Sequence, residues 1–144
     1  MHQSYEVLFI KTDENGKMPY QAYPGDAGYD LYVSKGCIIE PHKFQDVHTG
    51  IAVAMPFGIW GRITGRSSTI RKMGLQVQEG VIDCGFRGEL YTAIWNHTDK
   101  PVSVEAGMRL AQIIFYNVKS FEWMEVKELP PSDRGKNGFG SSGA

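Results

Sequence analysis

The sequence predicts an all-β fold in a single domain, a sandwich or barrel of many short strands with one short helix. Short apolar or alternating runs recur between turn residues along the chain, a spacing typical of such folds. Seventeen glycines and seven prolines are scattered among the runs, and no long helical period interrupts them. A chain of 144 residues is long enough to bury its own core without disulfides or a structural metal.

Nine strands are predicted, one for each apolar or alternating run. They are residues 5–11, 28–33, 45–55, 59–64, 75–78, 89–96, 101–104, 110–118 and 121–126. The runs 51–55 and 111–115 are almost entirely apolar, which indicates strands that are buried on both faces.

One helix of about two turns is predicted over Ser67–Met73. Ser67 or Ser68 is placed to cap its first turn, and Gly74 ends it. A helix start carries free N–H groups and partial positive charge, so it favours an anion, and Arg66 adds a guanidinium there. Considered alone, however, the segment is explained slightly better by simple serine capping with an exposed Arg66.

The last residues, 130–144, differ in composition from the rest of the chain. They are rich in glycine and serine, with one aromatic side chain and two cations, which is typical of a disordered tail. Arg134, Phe139 and the serines are nevertheless an unusual set for a linker. Arginine binds phosphate, a phenyl ring stacks on another ring, and glycine permits close approach. We therefore predict a domain at 1–129 and a flexible C-terminal arm at 130–144.

Charge and cysteine usage exclude several classes of protein. The net charge of −1 argues against a nucleic-acid or membrane partner, because both need clustered positive charge. Cys37 and Cys84 match no zinc-binding spacing, which favours reduced thiols in a cytoplasmic compartment. The N terminus has no signal pattern, and no apolar run approaches the ~20 residues that cross a bilayer.

Three polar residues lie in apolar surroundings and are candidates for chemistry. Asp83 follows two apolar residues at a strand end, which suits a general base, although an aspartate that starts a turn is more common. Asp30 needs an arginine or a hydrated magnesium ion as its partner, and a structural salt bridge is the default. Gln112 is either a satisfied core amide or a ligand contact.

These segments together resemble the five motifs of the trimeric dUTPase family. Their order and separations are those of the family: Asp30, Arg66-Ser67-Ser68, Asp83, Gln112 and the run from Arg134 to Gly143. The resemblance covers residues 26–143. The motif around Asp83 and the arm motif are the most specific of the five.

The resemblance implies a jelly-roll-like β-clip barrel that assembles as a homotrimer with shared active sites. It implies hydrolysis of dUTP to dUMP and pyrophosphate, with Asp83 activating a water for in-line attack on the α-phosphorus. Asp30 would hold Mg²⁺ through waters. The phosphate chain would be held by Arg66, Ser67, Ser68 and Gln112.

The resemblance also assigns the arm and the base pocket. The arm would close over the nucleotide through Arg134, Phe139, Gly140, Ser141 and Ser142, with the ring of Phe139 on uracil. A β-hairpin over residues 75–82 would select uracil through its main chain, with contacts at Val77, Val81 and Ile82. Val77 stands where many members have asparagine. Phe86 stands where most have tyrosine and keeps the ring that packs under the deoxyribose.

Two alternatives were weighed against this interpretation. A dCTP deaminase shares the fold, and Arg71 matches one of its functional arginines. That family needs a glutamate ten positions after Asp83, where this chain has Ala93, and it lacks the arm. A non-catalytic binding or regulatory relative is disfavoured because every catalytic residue type is present.

Overall fold

A computed structural model describes residues 5–140 as three antiparallel sheets and one helix. The elements are β1 Leu8–Lys11, β2 Gly28–Tyr32, β3 Cys37–Ile39, β4 Phe44–Ala54, β5 Ile59–Gly65, α1 Ser67–Met73, β6 Leu75–Val77, β7 Gly80–Ile82, β8 Glu89–Asn96, β9 Val102–Val104 and β10 Arg109–Asn117. The first sheet has the order β1-β4-β8-β6, the second β2-β10-β5-β7, and the third pairs β3 with β9. The predicted all-β class with one short helix is confirmed. Over residues 5–140 the sheets do not close into a barrel.

One apolar core joins the three sheets. Its fully buried members include Ile94 of the first sheet, Ile113 of the second and Ile39 of the third. In β8 the buried side chains alternate with accessible ones, as expected for a strand with one face on the core. Each large side chain buried in this way stabilises the fold by about 1.5–3 kcal/mol.

The loop after β1 is held to the core by a polar cluster. The buried Ser34 hydroxyl donates to Asp13 Oδ2 at 2.8 Å, and the Thr12 N–H donates to the Gly50 carbonyl at 2.7 Å. The hydrogen bond from Ser34 lowers the pKa of Asp13, because it favours the ionised carboxylate. Gly50 has φ 71°, and a Cβ there would lie 2.7 Å from the Ser34 Cβ. The close approach of these segments therefore requires glycine.

Three predicted features of secondary structure differ from the observed ones. Residues 121–126 form no strand, and Phe121, Trp123 and Met124 are exposed, because no strand of this chain lies beside them. β3 was not predicted, since three residues give too short a pattern. Residues 75–82 form no hairpin, because β6 pairs with β8 while β7 pairs with β5 in the other sheet.

No helix within residues 5–140 combines the length and apolar character that membrane crossing requires.

Candidate active site

Three charged side chains meet where β2, β5 and β10 lie side by side. Arg66 Nε lies 3.2 Å from Asp30 Oδ1, and Arg109 Nη1 lies 3.3 Å from Asp30 Oδ2. Arg66 Nη1 also donates to the carbonyl of Arg109 at 2.7 Å. The Asp30 carboxylate is thus shared by two guanidiniums, which is the salt-bridge alternative that the sequence left open. Its assignment to Mg²⁺ stays a prediction.

The start of α1 lies directly beside this cluster. Arg66 occupies the N-cap position with ψ 151°, and no side chain caps the helix, so the predicted cap by Ser67 or Ser68 is wrong. The helix is fixed instead by Thr69, whose buried hydroxyl donates to the Leu110 carbonyl of β10 at 2.7 Å. Within the described chain the Ser67 and Ser68 hydroxyls make no hydrogen bond, which leaves both able to bind a ligand.

Gln112 projects from β10 toward the same cluster. Its Nε2 donates to the Gly65 carbonyl at 3.0 Å, so one amide hydrogen is satisfied inside the chain. Gly28 makes this possible, because a Cβ at that position would lie 1.9 Å from Gln112 Oε1. One amide hydrogen of Gln112 is therefore satisfied as in a core amide, and the other is available to a ligand.

Asp83 lies in the turn that follows β7, away from the charged cluster. The turn is closed by the Phe86 N–H, which donates to the Asp83 carbonyl at 3.0 Å, and by Arg87 Nη1, which donates to the Cys84 carbonyl at 2.8 Å. Asp83 is exposed, and within residues 5–140 its carboxylate forms no ion pair. Its oxygens are therefore free to accept a proton from water.

The ring of Phe86 is positioned by Gly88. A Cβ at Gly88 would lie 2.7 Å from Phe86 Cζ and 3.1 Å from Cε1, so the ring packs on the bare backbone of that glycine. Phe86 is 44% exposed, which leaves the rest of the ring open to a ligand. A ring in this place, three residues after Asp83, suits a sugar-packing role.

The predicted base-binding residues divide into core and surface positions. The Val77 side chain is 7% exposed and belongs to the core, so it can contact a base only through its main chain. Ile82 also packs against the core, whereas Val81 is 68% exposed. The Gln78 N–H is already bonded to the Ala93 carbonyl at 2.8 Å.

Within one chain, Asp83 lies far from the charged cluster of Asp30, Arg66 and Arg109. Gly61 of β5 is paired with Ile82 of β7, so Asp83 lies level with Trp60 at one end of β5. Arg66 follows the other end, and the extended chain from Trp60 to Arg66 spans about 20 Å at about 3.3 Å per residue. A single phosphorus atom therefore cannot contact both Asp83 and Arg66 of the same chain.

Among the described residues, the hydrogen bonds of the arm are all within the arm itself. Arg134 Nε donates to the Asn137 carbonyl at 2.5 Å, and the Gly135 N–H donates to the Ser132 hydroxyl oxygen at 3.1 Å. The Phe139 side chain is fully exposed, and Gly140 has φ 91°. Ser141 and Ser142 lie outside the described residues. The arm assignments, Gly140 included, stay predictions.

An open, mainly apolar groove of about 880 Å³ lies elsewhere on the chain. Its walls include Phe9, Tyr20, Tyr29, Phe115 and Tyr116. None of the predicted site residues lines it. Within residues 5–140 no three acidic, histidine or cysteine side chains come together to form a metal site.

Arg109 is the residue of the cluster that the sequence analysis missed. It is the first residue of β10 and precedes an almost entirely apolar run. The sequence did contain a signal for this contact. Arg109 is a lone arginine at the start of an apolar strand, and Asp30 is a carboxylate that needs a partner. Their contact joins residues 79 positions apart, so sequence spacing alone did not reveal it.

Comparison with known proteins gives consistent matches along nearly the whole chain. A model of the dUTPase family matches residues 14–143. A deoxyuridine 5'-triphosphate nucleotidohydrolase of Clostridium tetani is 39% identical over 141 residues, covering 96% of this chain and 97% of that protein. The same enzyme of cowpox virus is 37% identical over 143 residues, covering 99% of this chain and 97% of that protein.

Solved structures show the same likeness. A mutant dUTPase of Staphylococcus bacteriophage 80alpha with bound dUpNHpp has a TM-score of 0.91 at 28% identity, covering 96% of this chain and 99% of that one. A mutant dUTPase of phage phi11 of S. aureus, described with a structural Mg(II) ion, has a TM-score of 0.83. Its 24% identity makes it similar in fold alone, over 88% of this chain and 99% of that one.

Proposed function

The chain belongs to the dUTPase family and hydrolyses dUTP to dUMP and pyrophosphate, and we propose that Asp83 activates the attacking water in a site shared between copies of the chain. The observation that carries this proposal is the separation of Asp83 from the Arg66 cluster, about 20 Å along β5. A second copy must supply one of the two halves, because both must act on one triphosphate.

The chemistry follows from an exposed and unpaired carboxylate. Asp83 takes a proton from a water while the water oxygen bonds to the α-phosphorus. The bond between the α-phosphorus and the oxygen that bridges it to the β-phosphorus breaks. Pyrophosphate leaves with the electron pair of that bond, and dUMP keeps the new oxygen. Among residues 5–140 Asp83 has no arginine or lysine partner, which supports its role as proton acceptor.

The phosphate chain is held by donors that the fold leaves unused. A guanidinium has five N–H donors, and Arg66 uses one on Asp30 and one on the Arg109 carbonyl. One anionic ligand would use the donors that remain. These are the other N–H groups of Arg66, the hydroxyls of Ser67 and Ser68, and the second amide hydrogen of Gln112. Phosphoryl transfer depends mainly on this kind of charge neutralisation and positioning.

The donor set fits Mg²⁺ that is brought in by the substrate. Magnesium in phosphate chemistry uses one or two carboxylates, water and the phosphate oxygens, and does not need an all-protein cage. Asp30 supplies one carboxylate, 17% exposed, and both of its oxygens keep lone pairs beyond the two arginine contacts. When bound, the ion would neutralise charge that develops on the phosphate oxygens.

The shared site implies a closed, symmetric assembly, for which we propose a homotrimer. The arm from residue 130 then closes over the site of a neighbouring copy, with Phe139 on uracil and Arg134, Ser141 and Ser142 on the γ-phosphate. The full exposure of Phe139 in one chain supports a partner outside that chain. Closure excludes bulk water and fixes the phosphates.

Base and sugar are recognised beside Asp83. The buried Val77 side chain leaves the main chain at Val77, Val81 and Ile82 to pair with uracil. The Phe86 ring packs against the deoxyribose, and its fixed position over Gly88 disfavours a 2′-hydroxyl. We infer a reducing, cytoplasmic compartment, since Cys37 and Cys84 are both free thiols.

A turnover assay tests the proposed function. We expect pyrophosphate from dUTP, with kcat lowered about 10²- to 10⁴-fold in Asp83→Asn while the Kd of dUpNHpp stays within about threefold. Release of ammonia from dCTP would establish a deaminase instead. If the wild-type chain releases neither pyrophosphate nor ammonia, the protein is a non-catalytic binding protein on this fold.

A further inference from the structure

Arg109 reaches Asp30 because β10 is irregular at its first residues. Arg109 is paired with Tyr32 of β2, whereas Ala111 is paired with Leu31, so the register shifts between the two positions. Such an irregularity re-aims a side chain relative to a regular strand. Arg109 Nη1 consequently lies 3.3 Å from Asp30 Oδ2, although Asp30 is paired with Gln112 in the sheet.

Arg109 acts on Arg66 by two routes. Its guanidinium holds one oxygen of the carboxylate whose other oxygen faces Arg66 Nε, and its main-chain carbonyl accepts from Arg66 Nη1 at 2.7 Å. The two guanidiniums therefore divide Asp30 between them. Without Arg109, both oxygens of Asp30 would be available to Arg66, and a two-point pairing is the arrangement that an arginine prefers.

Two aromatic rings lie beside the guanidinium of Arg109. The guanidinium lies 4.8 Å from the ring centroid of Tyr20 and 6.0 Å from that of Tyr32. Tyr20 is itself tied to Asp30 by two backbone hydrogen bonds, of 3.0 Å and 2.7 Å. Cation–π contacts and the ion pair with Asp30 together restrain the orientation of this guanidinium.

We propose that Arg109 is a positioning residue for dUTP hydrolysis, which keeps Asp30 from neutralising Arg66. The inference rests on the proposed function of the cluster as the phosphate-binding half of the site. With Arg109 the cluster of two arginines and one aspartate carries a net charge of +1. Loss of Arg109 removes that surplus and lets Asp30 compete with the triphosphate for the donors of Arg66.

The test compares a triphosphate with a monophosphate ligand. In Arg109→Met the Kd of dUpNHpp should rise about tenfold or more, because a charged hydrogen-bonded partner is lost, while the Kd of dUMP should change less than about twofold. Lys100→Met removes the same charge from an exposed turn and should change neither constant. Equal losses for the two ligands, with a lowered Tm, would indicate a general structural role and overturn the proposal.

A double-variant cycle separates the route through Asp30 from simple loss of charge. In EDTA, Asp30→Asn should strengthen dUpNHpp binding more in the Arg109→Met background than in the wild type, because only there is Arg66 fully paired with Asp30. Equal gains in the two backgrounds would refute the positioning role. Failure of the wild-type chain to hydrolyse dUTP would instead refute the proposed function, so the two failures are distinguishable.

Discussion

Mixing two inactive variants should restore activity if each site draws on two copies of the chain. The variants are Asp83→Asn, which lacks the proposed base, and Arg66→Met, which lacks the guanidinium that is proposed to bind phosphate. Alone, each alters every site of its own assembly. In a mixed assembly, a site that takes Asp83 from an Arg66→Met copy and Arg66 from an Asp83→Asn copy is intact.

The distance between Asp83 and Asp30 within the sheet determines how much activity the mixture should recover. Asp83 is level with Trp60, whereas Gln112 is paired with both Thr64 and Asp30. Measured along the strands, Asp30 lies about 13 Å from Asp83. Measured across the sheet, the two residues are three strands apart, or about 14 Å. Their total separation is therefore about 20 Å. If each site takes Asp83 and Arg66 from different copies, random mixing of equal amounts should give about a quarter of the wild-type activity.

The assay is pyrophosphate release from dUTP after the two variants are co-expressed in equal amounts and the whole random mixture of assemblies is purified. Each variant alone provides the baseline. A chain that carries both substitutions is the matched control. Mixed equally with wild type, it should leave about a quarter of the activity for shared sites and about half for single-chain sites.

The result that refutes the reasoning is a mixture of the two single variants with no gain over either one. Retention of about half of the wild-type activity in the matched control would also refute the reasoning. Both results would mean that Asp83 and Arg66 of one chain act together, and the distance inferred from the β5–β7 register would then be wrong.

Three further predictions concern the arm, the sugar pocket and acid stability. Deletion from Arg134 onward should leave Tm and assembly size nearly unchanged while turnover collapses; unchanged turnover would contradict the proposed closure of the arm over the site. Gly88→Ala should displace the Phe86 ring, which a Cβ would meet at 2.7 Å, and lower the preference for dUTP over UTP in kcat/KM; an unchanged ratio would exclude the ring from sugar selection. Asp13→Asn should lower Tm at pH 7. Because Ser34 holds the pKa of Asp13 below its usual range, the stabilising contribution is present above about pH 4 and is lost as pH falls further. The difference in Tm between wild type and variant should therefore shrink from pH 6 to pH 3.

Local signals made the helix and most strands predictable. Gly74, with φ 67°, ends α1 where the sequence placed its end, and the apolar run 51–55 lies in the core of the first sheet. These outcomes depend on residues that are neighbours in the chain. The same logic failed for 121–126, since an apolar run becomes a strand only when another strand lies beside it.

Contacts between distant residues were not predictable from spacing. Val77 lies in the core because β6 joins the first sheet and β7 the second, a division that no turn residue signals. The pairing of Asp30 with Arg109 depends on the register shift in β10. The sequence could identify which residue types suit phosphate chemistry, but their separation into two distant groups follows from strand pairing alone.

The exposed arm has a consequence for how the protein ages. Asn137 precedes Gly138 in a segment that has no strand or helix around it. Both its N–H and its carbonyl are hydrogen-bonded to Arg134. An asparagine followed by glycine loses its amide readily when the backbone is free to let the next nitrogen attack the side chain, and asparagine is a thermolabile residue. That reaction would place a negative charge among the groups that are proposed to hold the γ-phosphate. Stored samples would then lose activity while their melting curves stayed the same, and one dalton of added mass in the C-terminal peptide would mark the inactive molecules.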